Sequence, residues 1–76
     1  MQELIIRDDF IKLGQALKLA GVVESGVDAK LAIQHGIVLV NGRAETRRGR
    51  KLVDDDAVTY NGETFVIRAK GVSNDN

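Results

Sequence analysis

The chain has 76 residues, with 11 basic side chains balanced by 11 acidic ones, one histidine and no cysteine. That length supports a single hydrophobic core, and the zero net charge argues against a polycation that coats nucleic acid indiscriminately. Disulfide frameworks and thiolate metal sites are excluded. The run Leu4-Ile5-Ile6 before Arg7 is too short for a secretion signal, and no stretch nears the roughly 20 apolar residues of a membrane span, so a cytoplasmic protein is expected.

Glu3 to Arg7 reads as a short strand, and Asp8 and Asp9 offer carboxylates suited to a helix start. From Phe10 to Ala20, Phe10, Leu13, Leu17 and Ala20 recur at helical spacing. Gly14 inside that helix costs about 1 kcal/mol relative to alanine, which a close contact at that point would explain. Gly21 ends the helix. Ser25 followed by Asp28 has the spacing of a capping box, and the second helix runs on to a glycine stop at Gly36.

Ile37 to Val40 is a β-branched and aliphatic run closed by Asn41-Gly42, the pair suited to a type I′ hairpin turn. The return strand, near Ala44 to Thr46, fades into a loop crowded with Arg47, Arg48, Arg50 and Lys51. Asp54-Asp55-Asp56 reads as a polar turn rather than an ion site, since three consecutive carboxylates do not share a direction and EF-hand spacing is absent. Ala57 to Tyr60 and Glu63 to Arg68 form a second hairpin about Asn61-Gly62. Residues 1–70 therefore make one domain, and 71–76 a disordered tail. Two helices on one side of a small, largely antiparallel sheet of four or five strands is the α+β arrangement this order implies.

Chemistry is concentrated between Arg43 and Lys51, where five of the 11 basic residues face one carboxylate, Glu45. Guanidinium groups bind phosphate through paired donors, so Arg47, Arg48, Arg50 and Lys51 could follow a nucleic-acid backbone, with Lys30 and Arg43 extending the patch. The alternative is a solvated loop neutralised by Asp54 to Asp56. Phe10, Tyr60 and Phe65 all fall in patterns that read as core or sheet, which leaves no ring for stacking bases. His35 stands at a helix C-terminus, where it is favoured electrostatically. No nucleophile, acid–base or metal-ligand constellation is present, so neither an enzyme nor a cofactor is expected.

One pattern spans these elements: Leu13, Leu17, Gly21, Ser25, Ala29, Ile33, Gly36, Val38, Val40, Asn41 and Gly42. In that register the chain resembles, over about residues 10 to 60, the S-four-type RNA-binding domain first described in small-subunit ribosomal protein four. The run Arg47-Arg48-Gly49-Arg50-Lys51-Leu52 looks like that of small free-standing bacterial members, which carry no catalytic partner. The resemblance implies a monomeric, non-enzymatic protein that docks on structured RNA, ribosomal or tRNA-like, through backbone phosphates. The ribosome or its subunit precursors are the implied setting. It adds Lys12 and Ser25 to the expected RNA-binding residues Lys30, Arg43, Arg47, Arg48, Arg50 and Lys51. The position after the serine, often arginine in the family, is Gly26 here, which shifts the expected contact towards the hairpin-side arginines. A module that kept the fold for protein interaction without RNA is the alternative function.

Overall fold

The computed structural model describes residues 2–70, and the tail expected at 71–76 lies outside them. Among the described residues, seven strands and two helices follow in the order β1 (Gln2–Ile6), β2 (Ile11–Lys12), α1 (Leu13–Leu19), α2 (Gly26–Gln34), β3 (Leu39–Val40), β4 (Arg43–Ala44), β5 (Lys51–Leu52), β6 (Ala57–Tyr60) and β7 (Glu63–Ala69). Five strands form a sheet in the order β1-β7-β6-β3-β4, and β2 pairs separately with β5. All pairings are antiparallel except that of β1 with β7, which runs parallel with Gln2 opposite Phe65. The α+β arrangement and its largely antiparallel sheet match the expectation. No helix among the described residues is long and apolar enough to cross a membrane.

The core lies between the helices and the sheet. Leu13, Ala16 and Leu17 on α1 and Ala29, Ala32 and Ile33 on α2 repeat at three- and four-residue intervals and are all buried, the stripe a helix needs to cover a sheet. Val38, Val40, Leu52, Val58, Phe65 and Ile67 meet them. Alternation holds in β7: Phe65 and Ile67 face the helices, while Thr64 lies on the other surface, where its hydroxyl bonds that of Thr59 at 2.9 Å.

Both helices end as the sequence indicates. After α1, Gly21 at φ +76° donates to the Lys18 carbonyl at 3.0 Å and Val22 to that of Leu17 at 3.2 Å. Gly36 and Ile37 make the corresponding pair at the end of α2, so both are Schellman caps. Ser25 Oγ accepts from the Asp28 N–H at 3.1 Å, as the capping spacing requires; such a cap contributes about 1 kcal/mol. The helix expected from Phe10 starts later, at Leu13, because Ile11 and Lys12 are drawn into the ladder with Leu52 and Lys51.

Asn41 and Gly42 take φ values of 52° and 84°, and Asn61 and Gly62 of 54° and 79°, as two type I′ turns require. Asn41 does more than turn the chain: its Oδ1 accepts from the Ala57 N–H at 2.9 Å and its Nδ2 donates to Asp56 at 3.0 Å. Gly42→Val is expected to cost about 1 to 2 kcal/mol, since a β-branched residue resists positive φ. Urea unfolding measures it, and an unchanged midpoint would contradict the turn assignment.

The acidic triplet is spent within the fold, on backbone and on side chains. Asp54 accepts from the Ala69 N–H and Asp56 from the Val53 N–H, both at 2.8 Å, while Asp55 pairs with Arg68. None of the three neutralises the arginine loop.

Candidate nucleic-acid interface

The arginine loop is built into the start of α1. Lys12, the N-cap, has extended backbone and no side-chain cap. The first helical N–H groups instead donate to the loop: Leu13 to the Arg50 carbonyl at 2.8 Å and Gly14 to that of Arg48 at 3.1 Å. Loop carbonyls thus do the work of a capping residue. This closeness accounts for Gly14. A Cβ there would stand 2.7 Å from Arg48 Cγ and 3.3 Å from its Cδ, so a bare Cα lets the Arg48 side chain lie across the helix.

Arg48 thereby reaches a groove of about 360 Å³ lined with Lys12, Gln15, Lys18, Gly26 and Gly49. α2 brings its N-terminus to the same groove at Gly26, adding the positive end of a helix dipole. A Cβ at Gly26 would meet nothing within 4 Å, so the groove is open there. Lys51 stands directly across the β2–β5 ladder from Lys12, a like-charge pairing that costs stability. Among the described residues, Lys12, Lys18, Arg48 and Lys51 form no ion pair. Three of these cations, Lys12, Lys18 and Arg48, line the groove beside the N-terminus of α2 and make an anion-binding surface.

Arg47 and Arg50 are placed differently. Glu45, only 7% exposed, accepts from Arg47 Nε and Nη2 and from Arg50 Nη1, each at 2.9 Å, and from the Arg47 backbone N–H at 3.0 Å. These bonds, those from Arg47 first and from Arg50 second, hold its carboxyl well below the usual carboxylate range. Arg47 is therefore more than a solvated charge: it shapes the loop while its side chain stays 72% exposed. The return strand ends at Ala44 because the next residue, Glu45, turns inward to make this clamp.

The remaining expected residues fall outside the groove. Lys30 is exposed on α2 and Arg43 on the edge strand β4, and neither lines it; Ser25 acts beside it as the cap of α2. Lys18 was not among the expected residues, although its place four positions after Gly14 puts both on one helix face. The expectation that each aromatic ring falls in the core or the sheet fails at Phe10, which lies in neither and is 40% exposed, with Lys51 Nζ 4.7 Å from its ring centre. With helix packing beginning only at Leu13, Phe10 sits outside the apolar stripe.

Gly14→Ala tests the groove without removing a charge. Better helix propensity offsets part of the clash, so stability is expected to change by less than about 1 kcal/mol. Arg48 must swing aside, and on the RNA contact that the family resemblance implies, affinity should drop about as far as in Arg48→Ala, roughly fivefold. Titration of both variants with an RNA hairpin checks this; wild-type affinity in Gly14→Ala would contradict it.

Fold and groove together define a small α+β module with an unpaired basic face. The sequence profile of the S4 domain matches residues 4–68, and the chain belongs to that family. It is 47% identical over 57 residues to the "Probable ribosome maturation protein RlbA" of Bacillus subtilis (strain 168), covering 75% of this chain and 80% of that protein. YbcJ of Escherichia coli (strain K12) is 41% identical over 59 residues, covering 78% and 84%. The solution structure of E. coli YbcJ, reported to reveal an αL motif involved in RNA binding, superposes with a TM-score of 0.71 at 36% identity, over 91% of this chain and 89% of that one.

Proposed function

We propose that this protein is a non-enzymatic module that binds structured RNA through backbone phosphates held by Lys12, Lys18 and Arg48. Lys51, opposite Lys12 across the β2–β5 ladder, stands beside that site. The observation that carries the reading is the convergence of unpaired cations on one groove at the N-terminus of α2. Phosphates suit such a site because guanidinium and ammonium groups bind them without base edges, and the deep, narrow major groove of A-form RNA hides those edges anyway. The similarity to RlbA, with its ribosome-maturation name, directs the proposal to ribosomal RNA in subunit precursors.

A salt titration against a hairpin RNA tests the reading. For three to four phosphates the slope of log affinity against log salt should be about −3 to −4, taking the duplex-DNA coefficient as a guide. Crosslinking in cells followed by sequencing should recover ribosomal RNA. The protein-interaction alternative has its own observation: Val27, Leu31 and Ile37 are exposed near Glu24 and Asp28. Salt-independent RNA binding, or none, would favour it.

A further inference from the structure

A second groove, of about 600 Å³, adjoins the basic one along Gln15 and Lys18, which line both. Its walls are mostly apolar. Ile5, Phe10 and Leu19 line it and stay 54%, 40% and 61% exposed, flanked by Arg7, Lys18 and Asp8. Three large apolar side chains held in water around one concavity mark a binding surface. The charge on its lining is net positive, Arg7 and Lys18 against Asp8, and the Lys51 ammonium lies over the Phe10 ring.

Phe10 ties the two grooves together. The Lys51 ammonium stands 4.7 Å from its ring centre, and Lys51 faces Lys12 of the basic groove across the ladder. A ligand filling both grooves therefore needs a flat, uncharged, polarisable group a short distance from a phosphate. A nucleotide has that composition. A base inside an A-form stem is stacked and paired and cannot leave the helix to reach Phe10, so the base must be unpaired.

We propose that the Phe10 groove holds one unpaired nucleobase, bulged or extruded, of the RNA whose adjoining phosphates lie against Lys12, Lys18 and Arg48. This rests on the RNA-binding reading and narrows it: the substrate class becomes duplex RNA interrupted by a bulge, and shape and phosphate are not the whole of what is read. The base stacks on Phe10, whose ring is polarised by Lys51, with Ile5 and Leu19 excluding water at its edges.

The test compares two RNA hairpins that differ only in a single bulged 2-aminopurine nucleotide, each titrated with wild type, Phe10→Leu and Phe10→Tyr. Wild type should prefer the bulged hairpin roughly tenfold, the scale of base–aromatic stacking, with the 2-aminopurine fluorescence quenched on binding. Phe10→Tyr, which keeps the ring, should retain both effects. Phe10→Leu should lose both while binding the paired hairpin with unchanged affinity and salt slope. Equal wild-type affinity for the two hairpins with a steep salt slope would leave the RNA reading standing and overturn the nucleobase proposal. So would a preference that survives in Phe10→Leu. Should Phe10→Leu fail to fold, as thermal melting would show, unquenched fluorescence with wild type overturns it equally. If wild type binds neither hairpin, the RNA reading itself falls and this one with it.

Discussion

Replacing Lys12, Lys18 and Arg48 together with alanine is expected to weaken binding of a structured RNA about a hundredfold near 0.1 M salt. Each phosphate contact releases close to one counterion, so losing three should also reduce the salt slope by about 2 to 3 units. The three side chains come from different elements, β2, α1 and the loop after β4, yet meet in one groove. Stability should hardly change, because exposed charges contribute little to it and the Arg48 carbonyl that caps α1 belongs to the backbone. The matched control is the pair Lys30→Ala and Arg43→Ala, which removes two cations that do not line the groove. It should cost only a few-fold and lower the slope by less than 1 unit. Equal losses in the two sets would show that charge count, and not this groove, governs affinity.

The second large effect concerns stability and acts through Glu45. Its side chain is 8% exposed and anchors two arginines. Glu45→Gln should therefore lower unfolding free energy by about 2 kcal/mol at neutral pH, the scale of hydrogen bonds to charged groups. Folding lowers the proton affinity of this carboxyl. Its contribution is complete above the ordinary value of 4.5 and is lost as pH falls towards the depressed folded value. Wild type should accordingly lose stability between about pH 5 and pH 2 more steeply than Glu45→Gln, so that the two curves approach each other in acid. Urea unfolding at stepped pH measures this, and parallel curves would sink the assignment. RNA affinity should fall in the same variant, since the loop that carries Arg48 loses its anchor.

Local features of this fold were legible in the sequence because each answers a local demand. Asn41-Gly42 and Asn61-Gly62 satisfy positive φ within two residues, Gly21 and Gly36 close helices at once, and Ser25 caps the helix it precedes. Arg48, expected as a contact from its clustering, and Lys12, expected from the family resemblance, stand in one groove. What escaped depends on partners distant in sequence. Gly14 makes sense only beside Arg48, and Phe10 leaves the core only because the β2–β5 ladder delays the helix. Glu45 looks like one acid lost among arginines until burial makes it their organiser. Composition records that these charges exist but not which of them are paired.

The parallel pairing of β1 with β7 has a kinetic consequence. Among the described residues β1 is the first strand in sequence, and its neighbour in the sheet is the last. The helices and the hairpins can gather through short loops, whereas the closing of β1 must await residues from the far end of the sequence. During synthesis β1 leaves the ribosome ahead of the segment from α1 to β6 and stays unmatched while that segment collapses behind it. Completion of the sheet then becomes a single late event, set by the emergence of β7, and an interruption of translation before that strand exposes Leu4 and Ile6 to whatever holdase is at hand.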